Sequence, residues 1–237
     1  MWTERKLPRV CKHAGWPAID GLLAGAACIF WKINDMSIKP IIALDADGVL
    51  LDYGLAYASV WERAFGHRPV ERDKDAYFPF HRWAVEFLVG ERLAALRACM
   101  DEQFWSCVPP LEHAVEACHR LHDAGYELVC VSALAPQFEA ARLRNLRDAD
   151  FPIERVIATG LAAGVRSPKA DAIEQLGAVA FVDDFLPYFR GIAPGVHRAL
   201  ICRGPNGTPN AGPELDLIHS SHADLRAFSD WMLDPGF

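Results

Sequence analysis

Two acidic pairs in this chain follow directly on short apolar runs. Asp45-Ala46-Asp47-Gly48 comes after Ile41-Ile42-Ala43-Leu44, and Asp183-Asp184 comes after Ala178-Val179-Ala180-Phe181-Val182. Ser132 ends a third such run, Glu127-Leu128-Val129-Cys130-Val131, and Lys169 opens the stretch that precedes the second acidic pair. A carboxylate can serve as a nucleophile or as a proton shuttle. Crowded carboxylates repel one another unless a cation joins them, and hard oxygen ligands with room left for water and phosphate suit Mg²⁺. A lysine and a serine hydroxyl beside them would offset negative charge and donate to an oxyanion. Together these groups fit substitution at an anionic phosphorus centre, where charge must be neutralised and the nucleophile held in line. Each residue also has a plainer use: Asp and Ser at strand ends form caps and turns, and Lys169 could be a surface lysine replaced in function by nearby Arg166. What decides between these readings is whether the chain brings them to one place.

The elements say that it does. Ile41–Leu44, Glu127–Val131, Arg155–Ala158, Ala178–Val182 and Ala199–Cys202 are continuous apolar runs of the length expected for strands buried on both faces. Helical stretches separate them: Pro110 to Asp123, closed by Gly125; Gln137 to Arg147; and Lys169 to Leu176, closed by Gly177. Arg203 to Pro213 reads as a Gly- and Pro-rich loop and Asp224 to Leu233 as a terminal helix. This alternation predicts an α/β fold, a Rossmann-like parallel sheet of five strands with helices on both faces. Sites in such sheets form where loops leave the carboxyl ends of the strands, so Asp45, Ser132, Lys169 and Asp183 are expected along one edge.

Between Asp52 and Val108 the rhythm breaks. The segment is dense in aromatics (Trp61, Phe65, Tyr77, Phe78, Phe80, Trp83, Phe87, Phe104) at helical spacing. It predicts a small α-helical cap, residues 54–107, inserted after the first strand into a core made of residues 36–53 and 108–237. The aromatics are read as the cap's own core. His67, His81, Arg82 and Arg92 are its candidates for substrate contact, with Arg82 grouped with Gly48, Ser132 and Lys169 as substrate-binding. Asp52 is expected to shape the hinge, with movement near residues 52–55 and 106–109.

The chain has 237 residues, 51% hydrophobic and 23% charged, and a net charge of −7, which excludes wholesale disorder and argues against a nucleic-acid surface. No apolar run reaches the roughly eighteen residues of a membrane span. Its 7 cysteines follow no framework spacing and read as reduced thiols of a cytoplasmic protein. His113, Cys118, His119 and His122 resemble zinc ligands only superficially, since helical spacing turns His119 away from the others. Residues 1–35 differ in character and are expected to be an upstream extension ahead of Met36, outside the fold.

The run Leu44-Asp45-Ala46-Asp47-Gly48-Val49-Leu50-Leu51-Asp52 resembles the first signature of haloacid dehalogenase-like hydrolases. Ser132 is similar to the second, Lys169 to the third and Asp183-Asp184 to the fourth, and their order agrees with that superfamily from residue 40 to about 202. The resemblance implies a Mg²⁺ ion held by Asp45, Asp184 and the main-chain carbonyl of Asp47, with Asp183 bound directly or through water. It implies attack by Asp45 to give an aspartyl-phosphate, acid–base work by Asp47, a hydrogen bond from Ser132 to the phosphoryl group, charge compensation by Lys169 and a tight turn at Gly48. An acid two residues after the nucleophile favours an alkoxide leaving group over a halide, which departs unprotonated. The expected function is hydrolysis of a small-molecule phosphate monoester, with no nucleic-acid or membrane partner. A phosphomutase of the same fold and a catalytically silent binding protein are the alternatives.

Overall fold

Apolar residues at every position of a short strand demand cover on both faces. Ile41–Leu44 (β1) has that cover, with Ile42, Ala43 and Leu44 fully buried. The structure, a computed structural model, describes residues 39–161 and 164–234. The expected extension at residues 1–35 lies outside the described residues. The other strands are Glu127–Ser132 (β2), Arg155–Ala158 (β3), Ala180–Asp183 (β4), His197–Ile201 (β5) and Ser220–His222 (β6). They form one sheet in the order β3-β2-β1-β4-β5-β6, with every pair parallel.

The sheet is therefore of the expected α/β type but has six strands rather than five. The additional one, β6, has the sequence Ser-Ser-His and carries no apolar signal. It exists because an edge position needs burial on neither face, only hydrogen bonds to β5.

Alternate residues face opposite ways along a strand, and two cores result. Ile42, Leu44, Leu128, Cys130 and Val182 face one layer. That layer includes Ala117, Cys118 and Leu121 of helix Ala114–Asp123 and Leu225 and Phe228 of helix Leu225–Met232. Ala43, Val129, Val131, Phe181 and Leu200 face the other, which holds Ala170 and Ile173 of helix Ala170–Leu176. Glu139–Asp148 completes the core helices.

The insertion is less helical than its aromatic spacing predicts. Its helices are Tyr53–Phe65 (α1), Pro79–Arg82 (α2), Gly90–Ala98 (α3) and Glu102–Trp105 (α4). No helix forms over residues 66–78. There the backbone bonds outward instead: Tyr77 N–H donates to the Asn206 carbonyl at 2.9 Å, and Asn206 N–H to that of Asp75 at 3.1 Å. Pro110 does not open a helix either. Asp52 N–H donates to the Pro109 carbonyl and Leu111 N–H to that of Leu50, at 2.8 and 2.9 Å. These bonds zip the two stems of the insertion together, so the helix begins only at Ala114, after His113 with φ 61°. Among the described residues no helix is long and apolar enough to cross a membrane.

Candidate active site

Register brings the acidic pairs together. Leu44 lies opposite Val182 on β4, and Asp45 N–H donates to the Val182 carbonyl at 2.9 Å, so Asp45 emerges beside Asp183. On the other side Leu44 lies opposite Cys130, which sets Ser132 at the same end of the sheet. The sheet order changes direction at β1 and β4, the switch point at which open parallel sheets bind ligands.

Asp45, Asp183, Asp184, Lys169 and Ser132 are all buried. Lys169 sits at the start of helix Ala170–Leu176, and its Nζ bridges Asp45 Oδ1 at 2.7 Å and Asp183 Oδ2 at 2.6 Å. One carboxylate oxygen from each of Asp45, Asp183 and Asp184 lies within 4.8 Å of the others. Three converging carboxylates against two cations, Lys169 and Arg203, leave an excess of negative charge that suits a hard divalent cation. Arg166, the alternative to Lys169, is exposed and paired with Asp171 and Glu174.

Asp184 is held from several sides. Arg203 places Nε and Nη2 each 2.6 Å from its Oδ2 and donates from Nη1 to the Tyr77 carbonyl at 3.1 Å. The Asp184 carbonyl accepts from Asn210 Nδ2 at 2.7 Å and from the Tyr77 hydroxyl at 3.1 Å. Gly48 has φ +96°, and a Cβ there would lie 2.4 Å from both Arg203 Nε and Asp184 Oδ2. Any side chain at residue 48 would push Arg203 and Asp184 from these positions.

The Asp47 carboxylate stands apart from that cluster. It accepts two hydrogen bonds from Arg142 Nη2, at 2.8 and 2.9 Å. Arg82, the cap residue expected to touch substrate, is engaged by Asp52 at 3.1 Å and Glu71 at 2.8 Å. It lines a cavity of about 310 Å³ with Lys74, Tyr77 and Arg203. Asp52 also caps α1, accepting from Leu55 N–H at 2.7 Å. Arg92 pairs with Glu86 and covers Phe65, and His67 meets Trp61, so both serve the insertion's own surface. His119 Nε2 bonds the Asp150 carbonyl at 2.8 Å, and Cys118 is buried.

Burial dominates the ionisation of the acids. It pushes Asp184 up to about 6 against the pull of Arg203, and it raises Asp183 well above the usual carboxylate range despite Lys169. Burial also raises Asp47, opposed by Arg142 and assisted by the Asp45 charge. For Lys169, burial works against its charge, but Asp183 and Asp45 outweigh it and hold the ammonium protonated.

Arg142, Arg203 and Tyr77, which the structure sets against these acids, are not among the candidates that the sequence singles out. Arg203 lies two residues beyond β5, so the strand-end rule that finds Asp45 reaches it when basic residues are included. Arg142 had no such signal, because Glu139–Asp148 contains three arginines and reads as a surface helix.

No family model and no curated protein sequence matches the chain. Solved structures do. A haloacid dehalogenase (HAD) family hydrolase from Deinococcus radiodurans, with bound phosphate and sodium, is similar over 84% of this chain and 96% of its own, at 18% identity and a TM-score of 0.57. A haloacid dehalogenase-like hydrolase from Streptococcus pneumoniae covers 82% and 98% at 12% identity and a TM-score of 0.56. The L-2-haloacid dehalogenase from Xanthobacter autotrophicus, with chloropropionic acid covalently bound, covers 84% and 100% at 16% identity and a TM-score of 0.53.

Proposed function

Starting from a chain with the haloacid dehalogenase-like fold, we propose that it is a Mg²⁺-dependent phosphatase acting on a small-molecule phosphate monoester. The observation that carries this reading is the convergence of Asp45, Asp183 and Asp184 within 4.8 Å, with Lys169 between two of them. Bound there, Mg²⁺ would polarise the phosphoryl group and offset its charge. Asp184 and Asp45 would hold it, with Asp183 and the main-chain carbonyl of Asp47 beside them.

The protein's own groups divide the rest of the work. An Asp45 oxygen forms a bond to phosphorus as the ester P–O bond breaks, and Asp47 gives its proton to the departing alkoxide. Water then attacks phosphorus, the bond to Asp45 breaks, and Asp47 takes the proton from that water. Ser132 donates to a phosphoryl oxygen, and Lys169 offsets the charge of Asp45 and the phosphate. A carbon–halogen substrate would use neither a carboxylate cluster built for a cation nor an acid at residue 47. The phosphate and sodium carried by the D. radiodurans structure agree with an anion and a cation accommodated on this fold.

Residues 54–107 would act as a lid that moves about stems 52–55 and 106–109, a reading supported by the burial of Asp45, which is only 5% exposed. The described cysteines are free thiols, which supports a cytoplasmic enzyme. The test is hydrolysis of p-nitrophenyl phosphate and a panel of phosphorylated metabolites, with Mg²⁺ and then with EDTA. Turnover should vanish with EDTA and fall by about 10⁴-fold or more in Asp45→Asn. Halide release from L-2-chloropropionate without metal would replace this reading with a dehalogenase. Phosphate moved between positions of one substrate without release would replace it with a mutase.

A further inference from the structure

Arg142 is completely buried, and among the described residues its only acidic partner is the Asp47 carboxylate. A buried guanidinium needs such a partner, and its rigid geometry fixes the orientation of the group it grips. Both Asp47 oxygens accept from the same Nη2, at 2.8 and 2.9 Å, so the acid is held by both of its possible proton-carrying atoms.

The contacts continue away from the acid. Arg142 Nη1 donates to Asn145 Oδ1 at 3.3 Å, and Asn145 Nδ2 donates to the Val108 carbonyl at 3.0 Å. Val108 lies in the second stem of the insertion, whose neighbour Pro109 is bonded to Asp52 in the first. The Trp105 ring, from α4, covers the guanidinium at 5.2 Å and stacks on Tyr53 at 6.0 Å. A continuous line therefore runs from the acid through Arg142 and Asn145 to the place where the insertion joins the core. Arg142 Nε and Trp105 Nε1 are both buried without a hydrogen-bond partner.

We propose that Arg142 is the positioning residue of Asp47, and that Asn145 carries the placement of the stem at Val108 to that acid. This rests on the phosphatase reading, because a positioned acid matters only when a leaving group needs a proton. In this arrangement the acid is correctly aimed only while the stem is in place.

Leaving-group dependence tests it. The value of kcat/KM reports the steps through formation of the aspartyl-phosphate. Arg142→Met should lower it by about 100-fold for an alkyl phosphate, the scale of a general acid's contribution. For 2,4-dinitrophenyl phosphate, whose phenolate leaves without a proton, the loss should be under about 5-fold. Arg142→Lys should recover part of the alkyl rate, and Asn145→Ala should show a smaller loss with the same substrate pattern. Equal losses on both esters, or none on either, would overturn the proposal. If Arg142→Met does not fold, Arg142→Lys and Asn145→Ala decide by the same ratio. A parent that turns over no phosphate ester would sink the phosphatase reading separately. In that event crystal structures of the parent and Arg142→Lys decide the positioning role, and an Asp47 carboxylate unmoved between them overturns it.

Discussion

The carboxyl edge of the sheet and the insertion above it handle charge in opposite ways. At the edge, Lys169 is fully buried between Asp45 and Asp183, and Arg142 is fully buried against Asp47. In the insertion, Arg63–Asp101, Arg68–Glu62 and Arg92–Glu86 pair at the surface with their side chains substantially exposed. Water compensates the second set, and the pairs add little. Nothing compensates the first set except its partners, so removing one partner leaves a bare buried charge. The edge therefore holds its charges in fixed pairs, whereas the insertion can rearrange its own at little cost.

Lys169→Met should break this contrast most severely. It strips the shared cation from Asp45 and Asp183, and we expect a loss of about 3–5 kcal/mol at neutral pH in urea denaturation. A loss below about 1 kcal/mol would make the edge no different from the surface. The next effect should come from pH. Burial raises the folded pKa of Asp183 and brings that of Asp184 to about 6. The folded, metal-free protein thus retains protons that the unfolded chain has released by about pH 5. This contribution to stability is complete below the unfolded value of roughly 4 and is lost as pH rises through about 6. Thermal melts should show the metal-free midpoint falling between pH 5 and 7.5, and Mg²⁺ raising it more at pH 7.5, where Asp184 has already released its proton. An equal Mg²⁺ shift at both values would count against a site built from these acids.

Arg82 sharpens the comparison because it lies between the extremes, 18% exposed and bridging Asp52 to Glu71. Arg82→Ala should cost about 1–2 kcal/mol, through hydrogen bonds to charged groups at the first stem. Arg63→Ala, which removes an exposed pair, should change stability by no more than about 1 kcal/mol. Chemical denaturation of both variants should preserve that order, and a reversal would mean that exposure does not rank these pairs.

Much of the candidate site's placement was legible because strand ends announce themselves locally. Asp45, Ser132 and Asp183 each terminate an apolar run, and the parallel register then places them at one edge without further information. Lys169 was legible from its place at the head of a helix. The segment 66–78 misled because aromatic spacing alone does not reveal that Tyr77 bonds to Asn206 in a distant loop. Pro110 misled similarly, since its surroundings are held by Leu50 and Asp52 rather than by the helix it precedes.

By itself, the amino-acid order determined which faces are apolar, how many buried strands there are, and which acids end them. These depend on local periodicity, which a chain carries wherever it goes. Tertiary structure alone decided the partners of the acids and the existence of β6. Asp47 and Arg142 are 95 residues apart, and a long flexible guanidinium leaves no periodic trace of where it will point. An edge strand of Ser-Ser-His is stabilised by the hydrogen bonds of its neighbour, and that neighbour is supplied only by the folded sheet.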